Sequence, residues 1–319
     1  MIHQAVDFAV ATLLRGQRMF SKGWGDEEVL RRLVEQPLFD QPPRMPEITW
    51  RPARVRKNKH IIASDGTFAS PYTDLPEFVS LAHVRLLKKP GNERAVVIIA
   101  GSREEGYGLR QAIYAPLVHS GIDVLLLESP FYGARRLPNL NTASLPTVSH
   151  QTLMNLALVE ESRALVTWLL AQPYKRVGVA GYSMGGIIAA LVGATVDARI
   201  AVAVLAAGLS SAEVMTHWLL SWSVDYDALG EHARARIRQF VERGDLVHYP
   251  KPRAVEAAIV LGCRRDWYIP PEQVTALHRL WRGSELRWVN AGHVSALFTE
   301  RRALRGAVHD SLERLVPTT

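Results

Sequence analysis

At 319 residues, with 48% hydrophobic and 22% charged residues, the chain has room for one large α/β domain and a composition that excludes wholesale disorder. A lone cysteine, Cys263, excludes an intramolecular disulfide and any CxxC zinc site, and favours a reducing compartment. The net charge of +7 permits anionic partners, but its densest run, Arg51 to Lys59, has no aromatic residue interleaved after Trp50, so no nucleic-acid partner is expected.

The segment MIHQAVDFAVATLLRG lacks a positive start, and Asp7 interrupts its apolar stretch, so it does not read as a signal peptide. Its spacing predicts a helix over Ala5 to Phe20. A second helix is predicted from Asp26 to Val34, after the turn at Gly23-Trp24-Gly25 and with acidic residues at its start. A proline-rich linker, Pro37 to Pro52, follows. Residues 1–55 therefore read as an N-terminal helical extension with a linker, and 56–319 as the main domain. In that domain HIIAS and SLAHVRLL predict an antiparallel pair, and AVVIIA a central strand buried on both faces. A helix over Leu109 to His119 and a strand over Ile122 to Leu127 come next, then a helix over Gln151 to Leu170 and a strand over Arg176 to Ala180. The series ends with a helix (Gly185 to Val196), strands at Ile200 to Ala206 and Ala257 to Gly262, a helix (Pro271 to Trp281), a strand (Glu285 to Val289) and a helix (Ala296 to Leu315). Such alternation predicts a mostly parallel central sheet flanked by helices. Residues 208–252 break the rhythm without adding a strand and read as an inserted cap. The longest uncharged run, Val177 to Val196, is long enough to span a membrane. Its glycines around Tyr182 and Ser183 instead fit a buried strand, a sharp turn and a buried helix. A cytoplasmic protein is expected, one whose scattered arginines also allow peripheral contact with anionic membrane.

The turn carries the chemistry. Gly181-Tyr182-Ser183-Met184-Gly185 is a G-x-S-x-G pentapeptide between a strand and a helix, the context of a nucleophile elbow. Ser183 would project from the sheet, and the crowded turn demands glycine two residues to either side. A serine needs a base, and in this arrangement the chain order is serine, acid, histidine. His293, after the last strand, is the candidate base, and Asp266, after the preceding strand, the candidate acid. His278 and His309 lie in helices and read as packing or surface residues. Backbone N–H groups of Met184 and Ser102, with Arg103 next in line, are the candidate oxyanion hole. Arg103, Phe131, Tyr132, Trp218 and Trp222 are further candidates for substrate contact. The expected substrate is a small-molecule ester or lipid, with no metal or organic cofactor.

SKGWGDEEVLRRL, DGTFASP, LLLESPFYGARR and GHVSALF, together with the GYSMGG elbow and RRDWYIP, resemble the abhydrolase domain-containing protein 18 family over most of the chain. The resemblance implies an α/β-hydrolase fold and serine-hydrolase chemistry, with Ser183, Asp266 and His293 as the triad. Two other readings share these residues: a thioesterase, amidase or peptidase with the same triad, and a non-catalytic binding protein of this fold.

Overall fold

A computed structural model describes residues 2–56, 61–140 and 143–316. Residues 57–60, which include part of the basic run from Arg51 to Lys59 and the first residue of HIIAS, lie outside the described residues. The strands are β1 (Thr49–Trp50), β2 (Arg54–Arg56), β3 (Ile61–Ala69), β4 (Leu81–Lys88), β5 (Arg94–Ile99), β6 (Ile122–Leu127), β7 (Arg176–Tyr182), β8 (Ala201–Leu205), β9 (Ile259–Cys263) and β10 (Glu285–Val289). Among the described residues they form one sheet in the order β1-β3-β4-β6-β5-β7-β8-β9-β10, with β2 also paired to β3. Strands β5 to β10 run parallel to one another, while β1 to β4 form the antiparallel edge.

The helices are α1 (Ile2–Leu14), α2 (Glu27–Glu35), α3 (Gly108–Tyr114), α4 (Val148–Leu170), α5 (Met184–Thr195), α6 (Ser211–Thr216), α7 (Tyr226–Leu229), α8 (Ala233–Glu242), α9 (Pro271–Leu280), α10 (His293–Thr299) and α11 (Arg301–Arg314). Alternate strand residues feed two cores, as the period of two requires. Val97, Ile99, Val177, Val179, Val202 and Val204 pack with α4, α5 and α9. Val96, Ile98, Ala180, Ala201 and Ala203 pack with α3 and α11 on the opposite face. A third, smaller core joins Met19, Phe20, Leu30 and Leu33 to Val148 and Leu156 of α4, and to Val224, Leu229, Ile237 and Phe240 of the insertion.

Residues 208–252, which the sequence reads as an inserted cap, hold α6, α7 and α8 and, among the described residues, no strand. Elsewhere the boundaries move. The predicted helix over Ala5 to Phe20 ends at Leu14, because Met19 and Phe20 turn into the third core, Phe20 with φ +66°. The proline-rich linker contributes β1, and β2 follows it, so the extension forms part of the sheet's edge. The helix predicted to reach His119 ends at Tyr114 and continues as a 3-10 turn around Pro116, whose ring removes a backbone donor. The last helix begins earlier than predicted, at His293, and is divided at Glu300: α10 packs against α1, α11 against β8. No helix of the described residues is long and apolar enough to cross a membrane.

Candidate active site

Ser183 sits between β7 and α5 with φ +58° and ψ −122°, a region that non-glycine residues avoid unless their surroundings impose it. The surroundings do so by close approach. A Cβ on Gly181 would lie 2.1 Å from the Gly185 carbonyl oxygen, and one on Gly185 would lie 2.6 Å from that of Ala100. Only glycine at both places lets the strand turn directly into the helix and leave the Ser183 hydroxyl at its tip.

The chain brings Ser183, His293 and Asp266 together from three connections at the carboxyl ends of β7, β10 and β9. His293 Nδ1 is 2.7 Å from Asp266 Oδ2, and its Nε2 is 2.9 Å from Ser183 Oγ. A carboxylate only accepts, so Nδ1 carries the proton and Nε2 is free to accept from the serine hydroxyl. The other Asp266 oxygen accepts the N–H groups of Tyr268 and Ile269 at 2.8 and 2.7 Å, which fixes the carboxylate without using Arg264 or Arg265. His293 is not a loop residue, as the sequence suggests, but the first residue of α10, held between the rings of Tyr182 and Tyr268 at 5.3 and 5.1 Å between centroids. Burial lowers its pKa, but the charge and hydrogen bond of Asp266 and the charge of Asp7 outweigh that, and the net direction is upward.

Ser183 opens into a cavity of about 480 Å³. Met184, Ser102 and Arg103 line it. Met184 is the first residue of α5, so its N–H has no acceptor within the helix. The Gly101 N–H goes to the Glu104 carboxylate at 3.3 Å, which leaves Ser102 and Arg103 as the next donors along that loop. Arg103 has φ +63° and donates to the Gln17 carbonyl at 3.4 Å, while its buried Nε and Nη1 have no hydrogen-bond partner among the described residues. Ile99, Ile187, Ile188, Val214, Met215 and Leu220 supply apolar wall, and Val10 and Leu14 of α1 close the cavity from outside the sheet. A smaller cavity of about 100 Å³ shares Ile187, Ile188, Met215 and Val241 with the first, so apolar space continues beneath the insertion.

Four expected substrate contacts do not line this cavity. Phe131 is fully buried and packs edge-on against His150, and Tyr132 is buried with its hydroxyl donating to the Ala143 carbonyl at 2.8 Å. Arginines in the same loop are also committed, Arg135 to a buried pair with Glu161 and Arg136 to Glu105. Trp218 is partly exposed, and Trp222 packs against Phe8 with Arg15 over its ring. Leu220, between the two tryptophans, is the residue of that segment that reaches the cavity. His278 bonds to Ser284 and His309 to Asp310, away from Ser183.

Two residues not singled out by the sequence grip His293. The Tyr182 hydroxyl donates to the His293 carbonyl oxygen at 2.6 Å, and the Asp7 carboxylate accepts its N–H at 2.9 Å. Tyr182 stands inside the G-x-S-x-G pattern, and Asp7 is the sole charge in an otherwise uncharged helix.

Solved structures similar to this chain include esterases and a peptidase. Acetyl xylan esterase 1 from Thermoanaerobacterium sp. JW/SL YS485 is 16% identical over 96% of this chain and 98% of its own, with a TM-score of 0.58. The acetyl xylan esterase from Paenibacillus sp. R4 is 15% identical over 93% of this chain and 98% of its own, also at 0.58. Pyrococcus horikoshii acylaminoacyl peptidase is 11% identical over 83% of this chain and 43% of its own, at 0.54. These likenesses show a shared α/β-hydrolase fold, as the elbow and the alternation predict. The family model for alpha/beta hydrolase domain containing 18 matches residues 17–239 and 230–314, and the chain belongs to that family.

Proposed function

We propose that the protein is a serine hydrolase that cleaves a carboxylic ester with an apolar acyl group, through a covalent acyl-enzyme. The observation that carries this reading is the unbroken hydrogen-bonded series from Ser183 through His293 to Asp266, opening on a mostly apolar cavity. Ser183 Oγ attacks the ester carbonyl while His293 Nε2 takes its proton. Asp266 holds the ring with Nδ1 protonated and stabilises the imidazolium that forms. The N–H groups of Met184 and Ser102 receive the oxyanion. The tetrahedral intermediate collapses, the alkoxide leaves with the proton from His293, and the acyl group remains on Ser183. Water, deprotonated by His293, then releases the carboxylic acid and restores the hydroxyl.

The apolar walls suit a hydrocarbon chain, and lipid-like esters fit that description. Arg103 lines the same cavity and is a cationic side chain placed to meet a carbonyl or anionic oxygen elsewhere on the substrate. The test is hydrolysis of p-nitrophenyl esters by the wild type and by Ser183→Ala. Removing the nucleophile of such a series lowers kcat by roughly a million-fold. A Ser183→Ala protein that kept wild-type hydrolysis would end the proposal.

A further inference from the structure

The first N–H groups of any helix lack partners within it, and a capping side chain normally receives them. The cap residue of α10 is Gly292, which has no side chain. Asp7, on α1, takes that place from 286 residues away. Its Oδ2 accepts the His293 N–H at 2.9 Å, and its Oδ1 accepts the Val294 N–H at 2.9 Å. Oδ2 also accepts the Trp267 N–H at 3.2 Å, in the loop that carries Asp266. One carboxylate thus ties together the two segments that supply the base and the acid. Asp7 is fully buried and forms no ion pair among the described residues, and these three donors offset part of the cost of its desolvation. Gly292 belongs to the same device. A Cβ there would come within 2.8 Å of the His3 carbonyl oxygen and about 3 Å of both Asp7 oxygens, so glycine is what lets α1 approach. On its other side the His293 peptide is held through its carbonyl by Tyr182.

We propose that Asp7 is a positioning residue: it fixes the start of α10 and the Asp266 loop so that His293 Nε2 stays within reach of Ser183 Oγ. The N-terminal helix is thereby a working part of the active site. The inference rests on the reading of Ser183, His293 and Asp266 given above. It assigns Asp7 no contact with substrate. A displaced base is costly, because a shift of about 1 Å in such a group can lower the rate about 100-fold.

The experiment compares wild type, Asp7→Asn, Asp7→Ala and Phe8→Ala in the full chain. Phe8→Ala removes an edge-on contact of the same helix with Trp222 and leaves the His293 backbone untouched. Two quantities are measured: the low-field proton resonance of the His293 Nδ1–H, which needs no turnover, and the rates of fluorophosphonate labelling at Ser183 and of p-nitrophenyl butyrate hydrolysis. The expected result is that Asp7→Ala loses or broadens the low-field resonance and slows labelling and kcat by about 10- to 100-fold, with little change in KM. Asp7→Asn keeps the shape of the side chain and falls between, and Phe8→Ala resembles wild type. An Asp7→Ala protein with an unchanged His293 resonance and labelling rate overturns the inference. So does an equal loss in Phe8→Ala, which would make Asp7 a mere anchor of the helix. Failure of the underlying reading looks different: wild type itself would not label at Ser183, and the His293 resonance would still decide the role of Asp7.

Discussion

From β5 to β10 the sheet is held by apolar residues that alternate between two cores, so each strand carries its own instructions. The cover over Ser183, made of α1 and residues 208–252, is assembled differently. Its own core is small, and much of its attachment runs through single long-range contacts. Met19 and Val224 form an isolated parallel bridge, Arg18 pairs with Asp225, Phe8 meets Trp222 and Asp7 reaches His293. The contrast teaches where each kind of damage should appear. Changes under the elbow should cost the fold, whereas changes to those cover residues that touch the site or line its cavity should cost activity and selectivity.

The largest effect expected is on the elbow. Gly181→Ala places a methyl group 2.1 Å from the Gly185 carbonyl oxygen, against Gly185 backbone with no flexible side chain to yield. The loss should exceed about 4 kcal/mol in urea unfolding, the range reached when strain is forced on a close-packed turn. Breaking the Phe8–Trp222 contact in the cover should cost about 1 kcal/mol. If the two variants unfolded at the same urea concentration, the contrast between sheet and cover would be gone.

Next in size is selectivity. Val214, on α6, lines the cavity from the cover side. Val214→Trp should fill that space and reduce kcat/KM for p-nitrophenyl octanoate about tenfold relative to the acetate, as pocket volume controls discrimination among acyl chains. An unchanged chain-length profile would mean that the acyl group does not lie beneath the cover.

The pH profile follows with a smaller range. His293 must be neutral to accept the Ser183 proton, and its pKa lies above the usual 6.5 because Asp266 and Asp7 outweigh burial. Activity should therefore fall as pH drops through a midpoint above 6.5, with a slope of one proton. A midpoint at or below 6.5 would contradict the electrostatic account.

The smallest effect belongs to Asp245, which within the cover accepts from Ser210 and Ser211 at the start of α6. Burial, opposed by the Ser210 hydroxyl and Ser211 N–H, raises its pKa from 3.8 to about 6. The folded chain then binds this proton more tightly than the unfolded chain, so the group's contribution to stability declines as pH rises between those values. Asp245→Asn lacks the titration, and its Tm relative to wild type should climb by a few degrees over that interval. A constant difference across the interval would place the charge in a better-solvated setting.

What the sequence made legible follows the same division. The elbow could be read because its requirement is steric and local: Gly181 and Gly185 have to be glycine within five residues of each other. The central strands could be read because burial on both faces leaves an unbroken apolar run. Asp266 and His293 followed from the order of the strands that precede them. The aromatics misled, since Phe131 and Tyr132 look the same in a pocket-lining loop as in the core position they occupy. Trp218 and Trp222 gave the same ambiguity. Strands β1 and β2 are two and three residues long and show no alternation to detect. Asp7 could be noticed as a charge out of place, but its partner lies almost the whole chain away.

The proposed chemistry depends on Ser183 being a nucleophile activated by His293 and Asp266. The most direct measurement is intact-mass spectrometry after incubation with a fluorophosphonate, on the wild type and on Ser183→Ala. The expected result is one adduct on the wild type, carried by Ser183, and none on the variant. A wild type that stays unmodified, or a variant modified to the same extent, would contradict it.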